Sequence, residues 1–258
     1  MKRRIFTIAR ASIALLLMLS MLFMLSCSAT ATREEEETTA AGDAQVSGTP
    51  KKRVALTYDD GPHATRTPMI VDELDKYGFH ATFFVVGNRV DGSEYNGGDA
   101  MLYAIKHGTE VGIHGYTHDM SISFATCSDK VYKSEMSQTK AAIREVKTGY
   151  KIKLMRPVGG AISEERIEES PYSVILWDVD SLDWQYKYEE NGVEIIVNNV
   201  LENVRDGSII LMHDIYESTY EATVIILERL NEMGYEVVTV SELLGDEREA
   251  GKAYERAE

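Results

Sequence analysis

From Lys51 onward, short runs of β-branched and aromatic residues alternate with longer helical stretches as far as about Leu244. Strands that alternate with helices form parallel sheets, because each helix carries the chain back to the start of the next strand. The sequence therefore predicts an α/β fold, an incomplete or distorted (β/α) barrel with about seven parallel strands. The predicted strands are Val54–Tyr58, Ala81–Val86, Glu110–His114, Lys153–Arg156, Val174–Val179, Ser208–Met212 and Glu236–Val240.

The helical stretches between these strands are marked at their ends by glycine. Glycine directly follows four of them, as expected where a helix ends in a left-handed residue. The predicted helices are Thr67–Tyr77, Ala100–His107, Asp129–Thr148, Val193–Val204 and Tyr220–Met233.

The first 27 residues have the parts of a secretory signal peptide: a basic start, an apolar run and a small residue before Cys27. Met24 to Cys27 resembles the lipobox of bacterial lipoproteins, in which the cysteine is lipidated after cleavage. The sequence therefore predicts a signal peptide over residues 1–27, lipidation of Cys27 and a protein outside the cytoplasmic membrane, tethered to it or secreted. The alternative is an uncleaved N-terminal anchor, because the apolar run extended back through Arg10 nearly reaches the length of a membrane span.

Residues 28–50 are small, polar or acidic and contain almost no large apolar side chain, which predicts a disordered tether. A folded domain is predicted over 51–245, followed by a charged, frayed tail over 246–258. The formal net charge of −15 argues against nucleic acid as a partner, since phosphate binding needs lysine and arginine. Two cysteines are too few for a disulfide framework.

Chemically active side chains follow the predicted strands at the point where each strand ends. In parallel barrels these carboxyl ends share one rim, and active sites lie there. The sequence therefore predicts that these side chains meet at one site. They are Asp59 and Asp60 after the first strand, His114 and His118 at the third, Arg156 at the fourth, Asp180 and Asp183 after the fifth, and His213 and Asp214 after the sixth.

Two elements of this set indicate a metal. His114 and His118 are four residues apart, and one carboxylate from the Asp59–Asp60 pair would complete a three-ligand zinc site with an open position. Each signal is weak alone, because paired histidines are common and Asp-Asp-Gly-Pro is also ordinary turn chemistry.

Five motifs in order resemble those of the NodB-homology polysaccharide deacetylases, carbohydrate esterase family 4. The motifs are Thr57–Pro62 (family TFDDGP), His114–His118 (H-S/T-x-x-H), Arg156-Pro157 (RPPY), Asp180–Trp184 (DxxDW) and Leu211–His213 (LxH). The resemblance covers about Val54 to Leu244 and implies a NodB-like barrel. Two motifs depart from the family pattern: Gly115 replaces the hydroxyl residue of the second motif, and Val158-Gly159 replaces Pro-Tyr of the third.

The resemblance assigns roles to residues of this chain. It implies that Asp60, His114 and His118 bind Zn²⁺ or another divalent transition metal. Asp59 would be the general base, oriented by Arg156, and His213 the general acid, tuned by Asp183. The Gly159 N–H would donate to the oxyanion, and Tyr58, Trp184 and Leu211 would line the substrate groove.

The implied function is hydrolysis of the N-acetyl group of N-acetylglucosamine residues in a cell-wall polysaccharide, with peptidoglycan expected. The alternatives are deacetylation of chitin oligomers, of another wall glycan or of an O-acetylated polysaccharide. A surface carbohydrate-binding protein that has lost activity is a further alternative, and it would bind glycan without releasing acetate. The motifs do not separate the polymers or define the oligomeric state.

Overall fold

The computed structural model describes residues 51–92, 97–245 and 248–258. The predicted signal peptide, Cys27 and the tether lie outside this part of the chain, so these assignments and the boundaries at 27 and 50 stay predictions. None of the described helices is both long and apolar enough to cross a bilayer.

Nine strands are present in the described residues, and they pair into one sheet. All pairings between these strands are parallel. The predicted fold class is confirmed. The strands are β1 (Lys52–Asp59), β2 (Thr82–Val85), β3 (Glu110–Ile113), β4 (Leu154–Met155), β5 (Ser173–Ile175), β6 (Val179–Asp180), β7 (Ile209–His213), β8 (Tyr235–Val237) and β9 (Ala253–Tyr254).

Helices connect all consecutive strands except β5 and β6, and each of the five predicted helices overlaps an observed one. A short 3₁₀ turn, Val158–Gly160, follows β4. The described α-helices are α1 (Arg66–Asp75), α2 (Gly87–Asp91), α3 (Gly97–Lys106), α4 (Asp129–Val146), α5 (Glu164–Glu168), α6 (Asp183–Tyr186), α7 (Gly192–Leu201), α8 (Glu217–Glu232) and α9 (Val240–Leu244).

The predicted fifth strand, Val174–Val179, is wrong as a single element, because it is broken into β5 and β6. Only Leu176–Asp178 separate these strands, yet they lie near opposite ends of the strand order β6-β7-β1-β2-β3-β4-β5-β9. So short a connection forces the sheet to curl until its two ends approach each other. At the break, the carbonyls of Ile175 and Leu176 accept hydrogen bonds from the Arg156 guanidinium at 3.0 and 2.8 Å.

The curled sheet has an outer face covered by helices and an inner face that surrounds the barrel axis. Successive strand residues point to opposite faces, so Val54, Leu56 and Tyr58 of β1 join the large core beneath the helices. The inner face carries a smaller apolar cluster, closed by α9. Its buried members are Ala55, Phe84, Leu154, Ile175, Ile209, Val240 and Leu244.

The same alternation places Asp59, Arg156 and His213 on the inner face, further along the strands than this cluster. In register, Asp59 is the Cα partner of His213 on the neighbouring strand β7. The apolar layer therefore forms the floor of the barrel, and polar groups gather at the carboxyl rim above it.

The described end of the chain corrects the prediction of a frayed tail. Strand β9 pairs with β5 through Val174–Ala253 and Ile175–Tyr254. Beyond it, the Ala257 N–H donates to the Gly207 carbonyl at 2.8 Å, next to the start of β7. The segment pairs despite its charge because Tyr254 and Ala257 pack against the inner cluster. It bridges the open side of the barrel, and we call residues 251–258 the strap.

Candidate active site

Two adjacent carboxylates leave the end of β1 in different directions. Asp59 is the last strand residue and keeps the inward orientation of the strand. Asp60 has a left-handed backbone with φ of 71°, a conformation that aspartate tolerates better than most residues. Both side chains are almost completely buried. The change in backbone conformation gives each carboxylate its own partners.

The two predicted histidines meet Asp60. His114 follows β3, and its Nδ1 lies 2.9 Å from the Arg156 carbonyl, which directs Nε2 toward the aspartates. That Nε2 is 3.5 Å from Asp60 Oδ1 and 3.6 Å from Asp59 Oδ2. The Nε2 of His118 lies 2.7 Å from the same Asp60 oxygen. A backbone carbonyl behind a histidine is the usual support for a metal-binding imidazole.

These three side chains fit a divalent metal. One ligand atom from each of Asp60, His114 and His118 lies within 4.8 Å of the others. Zinc bonds of about 2.0–2.2 Å place tetrahedral ligands roughly 3.3–3.6 Å apart, so small side-chain shifts would bring all three to one ion. Among the described residues, none donates a well-aligned hydrogen bond to the buried Oδ1 of Asp60. The 2.7 Å contact with His118 is close but poorly aligned, as expected for two ligands of a shared cation.

The charges at this cluster support the same interpretation. Burial alone would raise the pKa of the Asp60 carboxyl, but the His114 and His118 imidazoles hold it well below its usual range. Burial likewise opposes protonation of His114, yet the carboxylates of Asp59 and Asp60 raise its pKa. The Asp59 and Asp60 carboxylates thus favour a cation at this cluster, either a protonated imidazole or a metal ion.

Asp59 is oriented by a fully buried arginine. Arg156 Nη1 donates to Asp59 Oδ1 at 2.9 Å and to the Thr57 hydroxyl at 2.8 Å. The guanidinium lies over the Phe84 ring at 4.4 Å and the Trp177 ring at 5.5 Å. With its remaining donors on the carbonyls at the strand break, Arg156 has one fixed position. The second Asp59 oxygen is left facing His114.

His213 and Asp183 form the second polar pair. The Nδ1 of His213 lies 2.7 Å from Asp183 Oδ1, and its backbone N–H donates to Asp183 Oδ2 at 2.7 Å. The Thr219 hydroxyl and the Trp184 N–H also donate to this carboxylate. Burial disfavours the imidazolium, but the Asp183 carboxylate prevails and raises the pKa of His213 to about 9. At neutral pH His213 can therefore donate a proton from Nε2.

The sequence matches a known family over this region. The polysaccharide deacetylase family model matches residues 47–171. The peptidoglycan-N-acetylglucosamine deacetylase PgdA of Listeria monocytogenes is 36% identical over 203 residues, which are 79% of this chain and 41% of PgdA. The peptidoglycan-N-acetylmuramic acid deacetylase PdaC of Bacillus subtilis is 37% identical over 160 residues, 62% of this chain and 32% of PdaC.

Solved structures agree with the sequence matches. The PdaC structure has a TM-score of 0.66 and 36% identity, and the match covers 75% of this chain and 90% of the solved one. A family 4 acetyl xylan esterase from Clostridium thermocellum, in complex with a cobalt ion, has a TM-score of 0.70 and 30% identity. That match covers 80% and 98% of the two chains.

This chain belongs to the polysaccharide deacetylase family. The resemblance deduced from the five motifs is confirmed, and so is the barrel fold. The chain spans only about two fifths of the length of PgdA and a third of that of PdaC.

The departure at Gly115 from the polysaccharide deacetylase motif is explained by the loop that joins the two histidines. Gly115 has φ of +83°, where a side chain would be strained, and an added Cβ would lie 3.3 Å from Glu135 Oε2. Glu135, on α4, accepts from the Tyr116 N–H at 2.6 Å and the Thr117 N–H at 2.9 Å. Its Oε1 accepts from the Thr117 hydroxyl at 2.9 Å. The buried carboxylate thus supplies support that the missing hydroxyl would otherwise give.

Sequence reasoning missed Glu135, although a signal was present. It lies on the buried stripe of α4 with Met136, Thr139 and Ile143. An acid on the apolar stripe of an amphipathic helix is unusual unless it has buried partners.

Asp214 is a second buried carboxyl whose surroundings the motifs did not indicate. It accepts a short hydrogen bond from the Thr67 hydroxyl, while its Oδ1 has no partner among the described residues. Burial raises the pKa of Asp214 to about 7. A Cβ at Gly61 would lie 2.2 Å from Asp214 Oδ1, so the family glycine after Asp60 is required by this contact.

The predicted substrate-binding residues divide into two groups. Trp184 is 47% exposed beside Asp183, and Gly159 is exposed with φ of +63°. Leu211 lies on the inner face two residues before His213 and is 4% exposed. The prediction that Tyr58 binds substrate is wrong. Tyr58 is completely buried on the outer face, stacked on Phe83 at 5.0 Å with its hydroxyl 3.1 Å from that of Thr223.

Proposed function

We propose that this protein is a metal-dependent deacetylase that removes the N-acetyl group from N-acetylglucosamine residues of peptidoglycan. One observation carries the proposal. Two oriented proton carriers, Asp59 on Arg156 and His213 on Asp183, stand on neighbouring strand ends beside the Asp60–His114–His118 cluster. Amide hydrolysis needs this combination, because water must lose a proton and the departing nitrogen must gain one.

Asp59 is the proposed general base. Its Oδ1 is held by Arg156 at 2.9 Å, so Oδ2 is free to accept a proton from the attacking water. The water oxygen forms a bond to the acetyl carbon, and the carbonyl oxygen takes negative charge. The backbone N–H of Gly159, on the 3₁₀ turn after Arg156, is proposed to donate to that oxygen.

His213 is the proposed general acid. Asp183 fixes Nδ1 and keeps the imidazole protonated at neutral pH, so Nε2 can donate a proton to the nitrogen as the carbon–nitrogen bond breaks. The products are acetate and the free amine. The exposed face of Trp184 is proposed to contact the sugar, since an aromatic ring suits the apolar face of a pyranose.

Asp60, His114 and His118 are the proposed metal ligands, with zinc as the expected ion. Zinc fits one carboxylate and two imidazole nitrogens. The acetyl xylan esterase of similar fold was solved with a cobalt ion, so another divalent transition metal is the alternative to zinc. When bound, the ion would supply Lewis acidity, polarising the acetyl group and lowering the pKa of water.

We further propose that the protein acts outside the cytoplasmic membrane. Residues 1–27 would be a signal peptide, Cys27 would carry the lipid, and residues 28–50 would be the tether. An uncleaved anchor is the alternative. Radiolabelled palmitate incorporation that is lost in Cys27→Ser would support lipidation, and incorporation that persists in this variant would contradict it.

A substrate panel tests the proposed function. Purified protein is given peptidoglycan, chitin oligomers or acetylated xylan, and released acetate is measured. We expect the highest kcat/KM on peptidoglycan and a loss of at least about 10²-fold in kcat for Asp59→Asn. Preference for xylan would indicate an O-deacetylase. Glycan binding without acetate release, with metal supplied, would indicate a carbohydrate-binding protein and contradict the proposal.

A further inference from the structure

A lysine is held between two tyrosines at the rim beside His213. Lys187, the residue after α6, lies with its Nζ 4.3 Å from the ring centre of Tyr216 and 5.5 Å from that of Tyr188. The ammonium also donates to the Tyr216 hydroxyl at 3.2 Å. The Tyr216 ring is in turn 5.9 Å from the His213 ring. One aromatic ring therefore separates the ammonium from the general acid.

The charge of Lys187 is not neutralised within the described part of the chain. No described carboxylate forms an ion pair with it, although Glu189 and Glu190 follow closely in sequence. This is notable in a chain with a net charge of −15. Arg156, the arginine of the site, is fully buried and already paired with Asp59. Lys187 is therefore available to an anionic ligand.

The surroundings of Lys187 suit recognition rather than packing. Tyr188 is 89% exposed, and Trp184, one turn earlier, is 47% exposed. The Tyr216 contact restrains a flexible side chain before any ligand binds, which lowers the entropic cost of binding. Exposed aromatic rings beside a restrained cation form a surface suited to a sugar that carries a carboxylate.

We propose that Lys187, with Tyr188 and Tyr216, forms a carboxylate-binding subsite next to the deacetylation centre. It would bind an acidic group on the glycan unit adjoining the one that is deacetylated. This inference rests on the proposed function, and it makes the enzyme selective for acidic over neutral amino-sugar polymers. In peptidoglycan the carboxylate has two sources, the lactyl group of a peptide-free muramic acid or the stem peptide attached to it.

The test compares Lys187→Met and Lys187→Arg with the unmodified protein in its metal-loaded form. The substrates are neutral chitin oligomers, peptide-free glycan strands with free lactyl groups, and strands that carry stem peptides. Lys106→Met is the control. Lys106 is an exposed lysine in the last turn of α3, at the opposite edge of the barrel, and it has no ion pair with a described residue.

We expect Lys187→Met to lower kcat/KM on the acidic strands by about three- to tenfold, chiefly through KM, and to leave chitin oligomers unaffected. Lys187→Arg should keep most of the kcat/KM of the unmodified protein on the acidic strands. Added salt should weaken the binding of the acidic strands and leave that of chitin oligomers unchanged. Loss on peptide-free strands identifies the lactyl carboxylate, and loss restricted to peptide-bearing strands identifies the stem peptide. Equal effects on acidic and neutral substrates, or no effect on either, would overturn the subsite.

Equilibrium binding of the same glycans separates this inference from the proposed function. If the unmodified protein releases no acetate from any substrate, the deacetylase proposal fails. Binding of acidic strands that weakens about three- to tenfold in Lys187→Met would still support the subsite. Identical binding by both proteins would refute it.

Discussion

At the residue scale, side chains of the same type in the site have different partners and therefore different properties. Asp59 and Asp60 are chemically identical, but only Asp59 contacts Arg156 and both histidines contact Asp60. The strand orientation of the first and the left-handed backbone of the second cause this division. His213 is set apart from His114 and His118 in the same way, because its partner is the Asp183 carboxylate.

The partnership of His213 with Asp183 leads to a prediction about pH. The Asp183 carboxylate raises the pKa of His213 to about 9, so the acid form persists through neutral pH and is lost above that value. Removing the charge lowers this pKa. Asp183→Asn should therefore move the alkaline limb of the kcat/KM profile to lower pH and reduce kcat by about 10²–10⁴-fold.

Asp178→Asn is the matched control for this prediction. The Asp178 side chain is also largely buried, 7% exposed, and has several hydrogen bonds, but it precedes β6 and binds Arg205 and the Ile209 N–H at the opposite end of the strands. The alkaline limb of the kcat/KM profile of Asp178→Asn should stay where it is in the unmodified protein. An unchanged alkaline limb in Asp183→Asn would show that His213 is not the acid that titrates there.

At the scale of elements, helix α4 supports the proposed metal site without supplying a ligand. The loop from His114 to His118 has two positive-φ residues, Gly115 and His118, and it is short of internal support. Glu135 provides three hydrogen bonds from α4 to this loop. With the N–H groups of Gly87 and Asn88 on α2, the helix thus holds the loop that carries the two imidazoles.

We expect Glu135→Gln to weaken metal binding by about 10- to 100-fold, the usual effect of removing a partner behind the ligands. The amide oxygen can keep both backbone N–H bonds, but the Thr117 hydroxyl must then accept from the N–H₂ group, and the charge-assisted hydrogen bonds of the carboxylate become weaker neutral ones. Competition with a chromogenic chelator measures the dissociation constant directly. Glu145→Gln, an exposed acid on the same helix, should leave it unchanged. Equal affinities in the two variants would contradict the role of Glu135.

At the scale of the whole molecule, the site exists because the sheet closes. β5 and β6 are consecutive in sequence but lie near opposite ends of the strand order. Arg156 spans the junction between them, and the strap joins β5 to the start of β7. Asp183 follows β6 and Arg156 follows β4, toward opposite ends of the strand order, and closure of the sheet brings both to one rim.

Removing the strap should therefore destabilise the entire domain. A variant ending at residue 250 loses the pairing of β9 and the packing of Tyr254 against the inner cluster. We expect the free energy of unfolding to fall by about 2–4 kcal/mol, from one partly buried aromatic side chain and several hydrogen bonds. Urea denaturation measures this. A midpoint equal to that of the full chain would show that the strap does not contribute to closure.

The sequence predicted the strands, helices and site residues that depend on local patterns. Strand ends identified Asp59, His114, Arg156 and His213, because parallel strands bring their carboxyl ends together. The break between β5 and β6 escaped prediction, since four apolar residues, Val174–Trp177, run through it and only Asp178 interrupts the strand-like pattern. Tyr58 was misassigned because it is next to Asp59 in the motif. Successive residues of a strand point to opposite faces, so Tyr58 faces the outer core while Asp59 faces the site.

The central claim is that acetate release depends on a metal held by Asp60, His114 and His118. The most direct measurement is acetate release from peptidoglycan by purified protein after chelation and dialysis, followed by stepwise addition of Zn²⁺. The proposed site predicts that activity disappears on chelation and returns in full at one equivalent of zinc. Asp60→Ala should neither bind the ion nor regain activity. Undiminished acetate release after complete metal removal would contradict the claim.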